Sequence, residues 1–148
     1  MDPLFSVKEE VIYNFREVMD LIPQIVQISD LCVLREVEKT PYNLQRFELE
    51  RQILHEIMEV LHGKWIIDIL FLMLKFKTPS FNDLKKSLSS IGSRILTDRL
   101  RLLEEKRVIK RAIASERPLR VSYSLTEFGM GFIGVLKPIF LYWLSNMP

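Results

Sequence analysis

Polar and basic side chains that suit nucleic-acid chemistry recur at helical spacing between residues 93 and 101. They are Ser93, Arg94, Thr97, Asp98 and Arg101. An arginine guanidinium can donate two parallel hydrogen bonds to guanine, and a threonine can meet a base edge or the methyl group of thymine. Leucines at 96, 100 and 103 would occupy the opposite side of the same helix. The pattern predicts a DNA-reading helix from Ser93 to Glu105, with Ser93 as an N-cap that could help to hold a phosphate.

Further basic side chains flank this helix and suit contacts with the DNA backbone. Two runs with strand character, 108–114 and 120–125, surround the polar turn 115–118 and predict a β-hairpin. The candidate wing contacts are Arg111, Arg117 and Arg120. Arg117 and Arg120 lie at or near the tip, where the negative potential of a narrow minor groove would attract arginine, whereas Arg111 is expected to contact phosphate. The candidate phosphate contacts, which would add affinity without sequence preference, are Lys85, Lys86 and Lys110.

The elements before the reading helix complete a helix-turn-helix. Ser80 followed three residues later by Asp83 predicts a capped helix start, and the short glycine-containing segment 89–92 predicts the turn. With the hairpin, these elements predict a winged helix-turn-helix: an α+β fold, mainly α, with a two-stranded wing.

The rest of the chain is predicted to be helical and amphipathic. An apolar stripe runs from Phe5 to about Glu36, where Pro23 should kink or divide the helix. A linker at 39–43 precedes a helix that ends near His62, and the helix 64–76 is apolar almost all round, as expected of a buried scaffold.

The C-terminal run from Thr126 to Leu144 has Thr126 as its expected N-cap and a kink expected at Pro138. Its apolar surface is larger than one small domain would expose, which favours a homodimer. The expected dimer residues are Phe15, Met19, Ile22, Phe132, Leu136, Phe140 and Trp143. We therefore expect an N-terminal helical extension (1–61), a DNA-binding core (62–126) and a C-terminal dimerisation helix (127–148).

Charge and composition narrow the class of protein. Residues 1–61 hold 6 Lys/Arg and 12 Asp/Glu, whereas residues 62–148 hold 15 and 7, so the net charges are −6 and +8. A polyanionic partner would meet the basic part. The start lacks a secretory signal, and the apolar stretches 65–74 and 132–144 fall short of the roughly 18 residues that cross a bilayer. We expect a soluble, cytoplasmic, nucleoid-associated protein without membrane contact.

Motifs for catalysis, metals and cofactors carry little weight. Cys32, the only cysteine, allows no internal disulfide and is expected to be a small buried hydrophobe. The segment Gly129–Gly134 matches the dinucleotide-binding glycine pattern, but the acidic residue and strand that should follow are missing. His55 and His62 have no third ligand at a suitable spacing. We therefore expect no catalytic residue, no metal and no cofactor, although a site assembled in three dimensions would escape a spacing search.

Taken in order, several short motifs between His62 and Trp143 resemble the HxlR-type winged-helix regulators, relatives of the MarR group. The matching pieces are Gly63-Lys64-Trp65, Ile69-Leu70, Phe81, Leu84, Ser93–Thr97, Leu100, Leu103, Glu104, Arg111, Pro118, Val121, Tyr123–Glu127, Gly129, Pro138 and Trp143. The resemblance implies a homodimer that binds operator DNA and pairs through the helices flanking the wing domain.

Two departures from the family pattern stand out. Many members carry a cysteine shortly before the Gly-Lys-Trp motif and use it to sense oxidants, but this chain has none between Leu44 and Gly63. Family members also often have glycine where Arg107 stands, so the arginine either changes how the reading helix ends or adds a basic contact.

The predicted function is a sequence-specific regulator that binds double-stranded DNA as a homodimer on a pseudo-palindromic operator. Two alternatives remain open: an architectural protein that coats DNA without choosing a sequence, and a winged-helix module for protein–protein interaction. Whether a small-molecule effector exists is left unknown.

Overall fold

Helices dominate the fold, and one antiparallel hairpin completes it. The structure, a computed structural model, describes residues 3–39, 43–116 and 119–147. These residues form seven helices and two strands. In chain order they are α1 (Pro3–Asn14), α2 (Arg16–Lys39), α3 (Leu44–His62), α4 (Ile66–Phe76), α5 (Phe81–Ser87), α6 (Ser93–Glu105), β1 (Ile109–Glu116), β2 (Leu119–Leu125) and α7 (Glu127–Asn146). The predicted mainly helical fold with a two-stranded wing is confirmed.

These elements form two compact units. The first comprises Met1–Gln45 together with Ile133–Pro148, and the second comprises Arg46–Phe132. The boundaries cut through α3 and α7, so each of these helices contributes to both units.

In the first unit, the N-terminal helices are divided at Phe15, and α2 continues through Pro23. The Phe15 N–H still donates to the Val11 carbonyl at 3.1 Å, and the Met19 N–H to the Phe15 carbonyl at 2.9 Å. The predicted division of the helix at Pro23 was wrong, because α2 continues through this residue. A proline removes one hydrogen bond of the helix and need not end it. Of the predicted linker 39–43, residues 40–42 lie outside the described residues.

The cysteine in α2 is on the surface of this unit. Cys32 is exposed, so the expected burial was wrong. Ile22 of α2 is buried, whereas apolar side chains later in the same helix, including Ile28 and Leu31, are exposed.

The core of the second unit lies between α4, α5, α6 and the base of the hairpin. Its buried side chains include Ile66, Ile69, Leu70, Met73, Leu84, Leu96, Leu100, Leu103, Val108 and Ile109. Burial of this apolar area is the main stabilising contribution to the unit. The α6 leucines that the sequence assigned to the inner side are all in this core.

One helix of this core is less covered than its sequence indicated. α4 begins at Ile66, after Trp65 with a left-handed φ of 77°, and its side chains Ile67, Phe71 and Leu74 are exposed. Their spacing places them on one stripe. The predicted all-round burial was wrong, because the other elements cover one side of this helix.

The last helix is longer than the sequence indicated. Neither Lys137 nor Pro138 interrupts α7, which has 20 residues and an 18-residue window of mean hydropathy 1.4. By length and composition alone it could cross a membrane, so the expectation that its apolar stretch is too short was wrong. The same properties are found in helices that protein surfaces cover, and Leu141 and Gly129 are buried within this chain.

Candidate nucleic-acid interface

The helix-turn-helix begins at a reciprocal cap. The Asp83 N–H donates to the Ser80 hydroxyl at 3.2 Å, and the Ser80 N–H donates to the Asp83 carboxylate at 2.9 Å. The Ser80 hydroxyl also donates to this carboxylate, and these bonds lower the pKa of Asp83 below its ordinary value. The predicted cap is confirmed, and it fixes the start of α5.

Backbone bonds and one lysine shape the turn between α5 and α6. The Leu88 N–H donates to the Leu84 carbonyl at 2.9 Å, and the Ile91 N–H donates to the Leu88 carbonyl at 2.8 Å. The half-buried Lys85 ammonium donates to the Ile91 carbonyl. Lys85 therefore supports the turn that positions α6, whereas Lys86 beside it is exposed.

α6 has the predicted bounds, and its outward face carries the predicted polar residues. Ser93, Arg94, Asp98 and Arg101 are exposed, opposite the buried leucines. Positions 94, 98 and 101 are spaced by four and three residues, so the two arginines and the aspartate share one face.

The start of α6 differs from the prediction. Gly92 is the N-cap, with extended backbone angles of φ −71° and ψ 145°, and its carbonyl accepts the Leu96 N–H at 3.0 Å. Ser93 is the first helical residue and makes no side-chain cap, because its position lies one residue inside the helix.

The hydroxyl of Thr97 is engaged within the helix. It donates to the Ser93 carbonyl at 2.9 Å, and the side chain is half-buried. A hydroxyl has one proton, so Thr97 can offer a base only its lone pairs and its methyl group.

The end of α6 fixes the backbone conformation of Arg107. The Arg107 N–H donates to the Glu104 carbonyl and the Val108 N–H to the Leu103 carbonyl, both at 2.9 Å. This pair of bonds forms a Schellman motif, which requires a left-handed residue after the cap. Arg107 takes that conformation with a φ of 58°. The arginine therefore introduces backbone strain that a glycine at this position would not have. Its side chain is exposed at the end of α6.

The hairpin has a fixed base and a register shift within its strands. The Tyr123 N–H donates to the Pro79 carbonyl at 2.9 Å, and Ser80 forms an isolated bridge with Ser122. The register is regular from Ile109 to Ile113 and then shifts before Ser115, which pairs with Arg120.

The basic residues of the wing do not all share one side. Lys110 and Arg111 are both exposed, but as neighbours on a strand they project to opposite faces of the hairpin. Arg120 is exposed near the tip. The predicted contact at Arg117 lies outside the described residues.

Two positively charged residues, Arg99 within α6 and Lys106 at its end, were not identified by the sequence analysis. Lys106 at the helix end lies 3.1 Å from the Glu59 carboxylate and 3.6 Å from that of Glu56, and the hydrogen bond with Glu59 raises its pKa. The Nε atom of Arg99 is buried without a hydrogen-bond partner among the described residues. No local sequence signal marks the Lys106 bridge, because its partners lie about fifty residues away on α3.

The predicted dimer residues show graded exposure. Ile22 is buried, Phe15, Met19, Phe132 and Leu136 are half-buried, and Phe140 and Trp143 are exposed by 49% and 71%. In the first unit, the Lys137 ammonium lies 4.4 Å from the centre of the Phe15 ring.

Comparison with known proteins gives consistent matches. Residues 60–147 match the family model described as HxlR-like helix-turn-helix. The HTH-type transcriptional regulator YtcD of Bacillus subtilis (strain 168) is 32% identical over 110 residues, which cover 74% of this chain and 79% of YtcD. The regulator YvaP of the same strain is 32% identical over 82 residues, covering 55% of this chain and 75% of YvaP.

A solved structure agrees with these matches. A crystal structure described as a MarR-family transcriptional regulator of Enterococcus faecalis V583 superimposes with a TM-score of 0.58 at 27% identity. The superposition covers 64% of this chain and 86% of that one.

Proposed function

Because this chain belongs to the HxlR-like helix-turn-helix family and is a transcriptional regulator rather than an enzyme, we propose that it binds one specific operator as a homodimer. Each copy would insert α6 into a major groove and lay its wing against the neighbouring minor groove. The operator would be a pseudo-palindrome whose half-sites lie about one helical turn apart.

The observation that carries this proposal is the two-sided character of α6. Its leucines are buried, so the helix cannot turn in place, while Arg94 and Arg101 project from the opposite face. Each guanidinium could read a guanine with two parallel hydrogen bonds. Thr97 would accept a hydrogen bond from a base amino group or pack its methyl group on thymine.

The contacts outside α6 would supply affinity. Lys86 and Lys110 are exposed and can pair with phosphates, and Arg120 is near the wing tip. The Lys85 ammonium has three N–H groups and uses one of them to bond the Ile91 carbonyl in the turn. Its other N–H groups could donate to a phosphate. Arg111 and Arg117 are proposed to extend the basic surface of the wing.

Apolar surface on the helices outside the core supports the homodimer. Trp143 and Phe140 of α7 are among the large apolar side chains that are exposed in a single copy, and burial between two copies would remove them from water. We propose that residues 1–61 and 127–148 pair the two copies, while residues 62–126 bind DNA. In this arrangement the protein works in the cytoplasm, in association with the nucleoid.

The direct test is fluorescence-anisotropy binding to a duplex from the region upstream of the protein's own coding sequence. A shuffled duplex of equal composition is the control, and both are titrated across a salt series together with a panel of other genomic duplexes. The proposal expects a preference of about 10³-fold or more at physiological salt. Equal and steeply salt-dependent binding to a panel of genomic duplexes would favour the architectural alternative, and no binding at low salt would favour a protein-interaction module.

A further inference from the structure

A groove in the first unit lies between α2 and the C-terminal end of α7. It has a volume of about 430 Å³, which is within the usual range for small-molecule sites. Its apolar wall comes from Met19, Ile22, Pro23 and Val26, and the remaining lining residues are Gln27, Asp30, Tyr142, Ser145 and Asn146. All nine belong to helices outside the winged core.

The charge in the lining of this groove is negative. Asp30 is the only charged residue among the nine, and its side chain is exposed. An anionic ligand would meet this carboxylate with nothing basic in the lining to offset it. A cation would be attracted instead, and the half-exposed ring of Tyr142 could add a cation–π contact.

Two polar side chains at the rim, Ser145 and Asn146, have their donors occupied. The Ser145 hydroxyl donates to the Tyr142 carbonyl at 2.9 Å. The Asn146 amide nitrogen donates to the same carbonyl at 2.8 Å and to the Ser145 hydroxyl at 3.1 Å. These donors are therefore occupied, whereas the Asn146 amide oxygen remains as an acceptor.

The end of α7 adds a further preference for positive charge. The last turn of a helix carries partial negative charge, and α7 ends at Asn146 on the rim of the groove. One residue later, the Met147 carbonyl already accepts a hydrogen bond from the Lys8 ammonium at 3.1 Å. Lys8 is outside the lining, and its charge offsets part of this preference, so Asp30 is the main attraction for a cation in the groove.

We propose that this groove binds a small organic cation, an amine with an apolar body. The apolar part would lie on Ile22, Pro23 and Val26, and the ammonium would donate to Asp30 and to the acceptors at the end of α7. The site is distinct from the DNA-reading surface, so binding of the amine can be measured without DNA. The groove shares Met19 and Ile22 with the proposed dimer surface, so binding of the amine could change the oligomeric state. Sedimentation of the same samples would therefore measure the oligomeric state in each titration.

Three probes with one apolar body separate charge from size. Calorimetric titration would compare 4-phenylbenzylamine, a cation at neutral pH, with the neutral 4-phenylbenzyl alcohol and the anionic 4-phenylbenzoate. We expect one amine bound per chain and weaker binding of the alcohol and the benzoate. Equal binding of amine and benzoate, or no binding of the amine at millimolar concentration, would overturn the proposal.

Matched variants locate the site. Asp30→Asn should weaken amine binding by roughly threefold to tenfold, as expected for a partly screened ion pair, and should leave alcohol binding unchanged. Asp20→Asn is the control, because Asp20 is an exposed carboxylate on the same helix outside the groove. Val26→Trp, which fills the groove, should weaken both probes. Unchanged amine binding in Asp30→Asn, with a native circular dichroism spectrum, would reject the site.

Discussion

Replacing Arg107 by glycine should stabilise the protein, because Arg107 holds a backbone conformation that glycine adopts without strain. Its φ is 58°, and the two Schellman bonds to Glu104 and Leu103 fix it there. A non-glycine residue in the left-handed region costs about 1–2 kcal/mol. Glycine gains freedom in the unfolded chain worth about 0.4–1 kcal/mol, which offsets part of this relief. The expected net gain is about 0.5–1 kcal/mol in the free energy of unfolding.

Urea denaturation followed by circular dichroism would measure this gain. With a slope of roughly 2 kcal/mol per molar urea, the midpoint for Arg107→Gly should rise by about 0.3–0.5 M with no change in slope. Arg107→Ala is the matched control, since it removes the same charge and side chain but keeps the Cβ atom that causes the strain. A glycine variant no more stable than the alanine variant would refute the conformational explanation.

Three further predictions test the interface and its support. Arg94→Ala should cost about 1–3 kcal/mol on the operator and relax base preference, whereas Lys86→Ala should weaken all duplexes alike and reduce the salt slope by about 1; equal losses for Arg94→Ala on operator and random DNA would contradict the assignment. Gly129→Ala should destabilise the fold by about 2 kcal/mol or more, because a Cβ there would lie 2.0 Å from the Val108 carbonyl oxygen; Gly131→Ala, with open space around it, should match or exceed the native midpoint in the same denaturation assay. The pKa of Asp83 is lower in the folded state, so its stabilising contribution is present above the ordinary value of 3.8 and is lost as the pH falls through the folded value; urea midpoints between neutral and acidic pH should show this loss in the native chain and not in Asp83→Asn.

The winged core could be predicted from sequence because its signals are local. The leucines at 96, 100 and 103 repeat at helical spacing, and α6 has the bounds that they indicated. The Ser80–Asp83 cap is confirmed, and so is the Thr126 cap, whose hydroxyl accepts the Gly129 N–H at 2.9 Å. Which of the outward residues meet DNA stays a prediction.

The features that the sequence did not predict depend on distant partners or on surface geometry. Periodicity identifies apolar side chains but does not say whether the same chain covers them, so Phe71 on α4 and Cys32 on α2 were both expected to be buried. The groove at Asp30 needs α7, which follows it by about a hundred residues. The break at Phe15 has no helix-breaking residue to announce it.

The base and the tip of the hairpin are held differently. Its base is tied to the loop before α5 by the Tyr123 and Ser122 contacts, whereas the register shift after Ile113 separates the tip from that base. A bulge interrupts the ladder and lets a strand bend locally. Amide hydrogens at the base should therefore exchange slowly, and those of Ser115 and Arg120, beyond the register shift, more quickly. In the proposed complex, the wing tip would then follow grooves of different width while α6 keeps its place, so the proposed homodimer would tolerate spacer sequences of unequal stiffness between two half-sites.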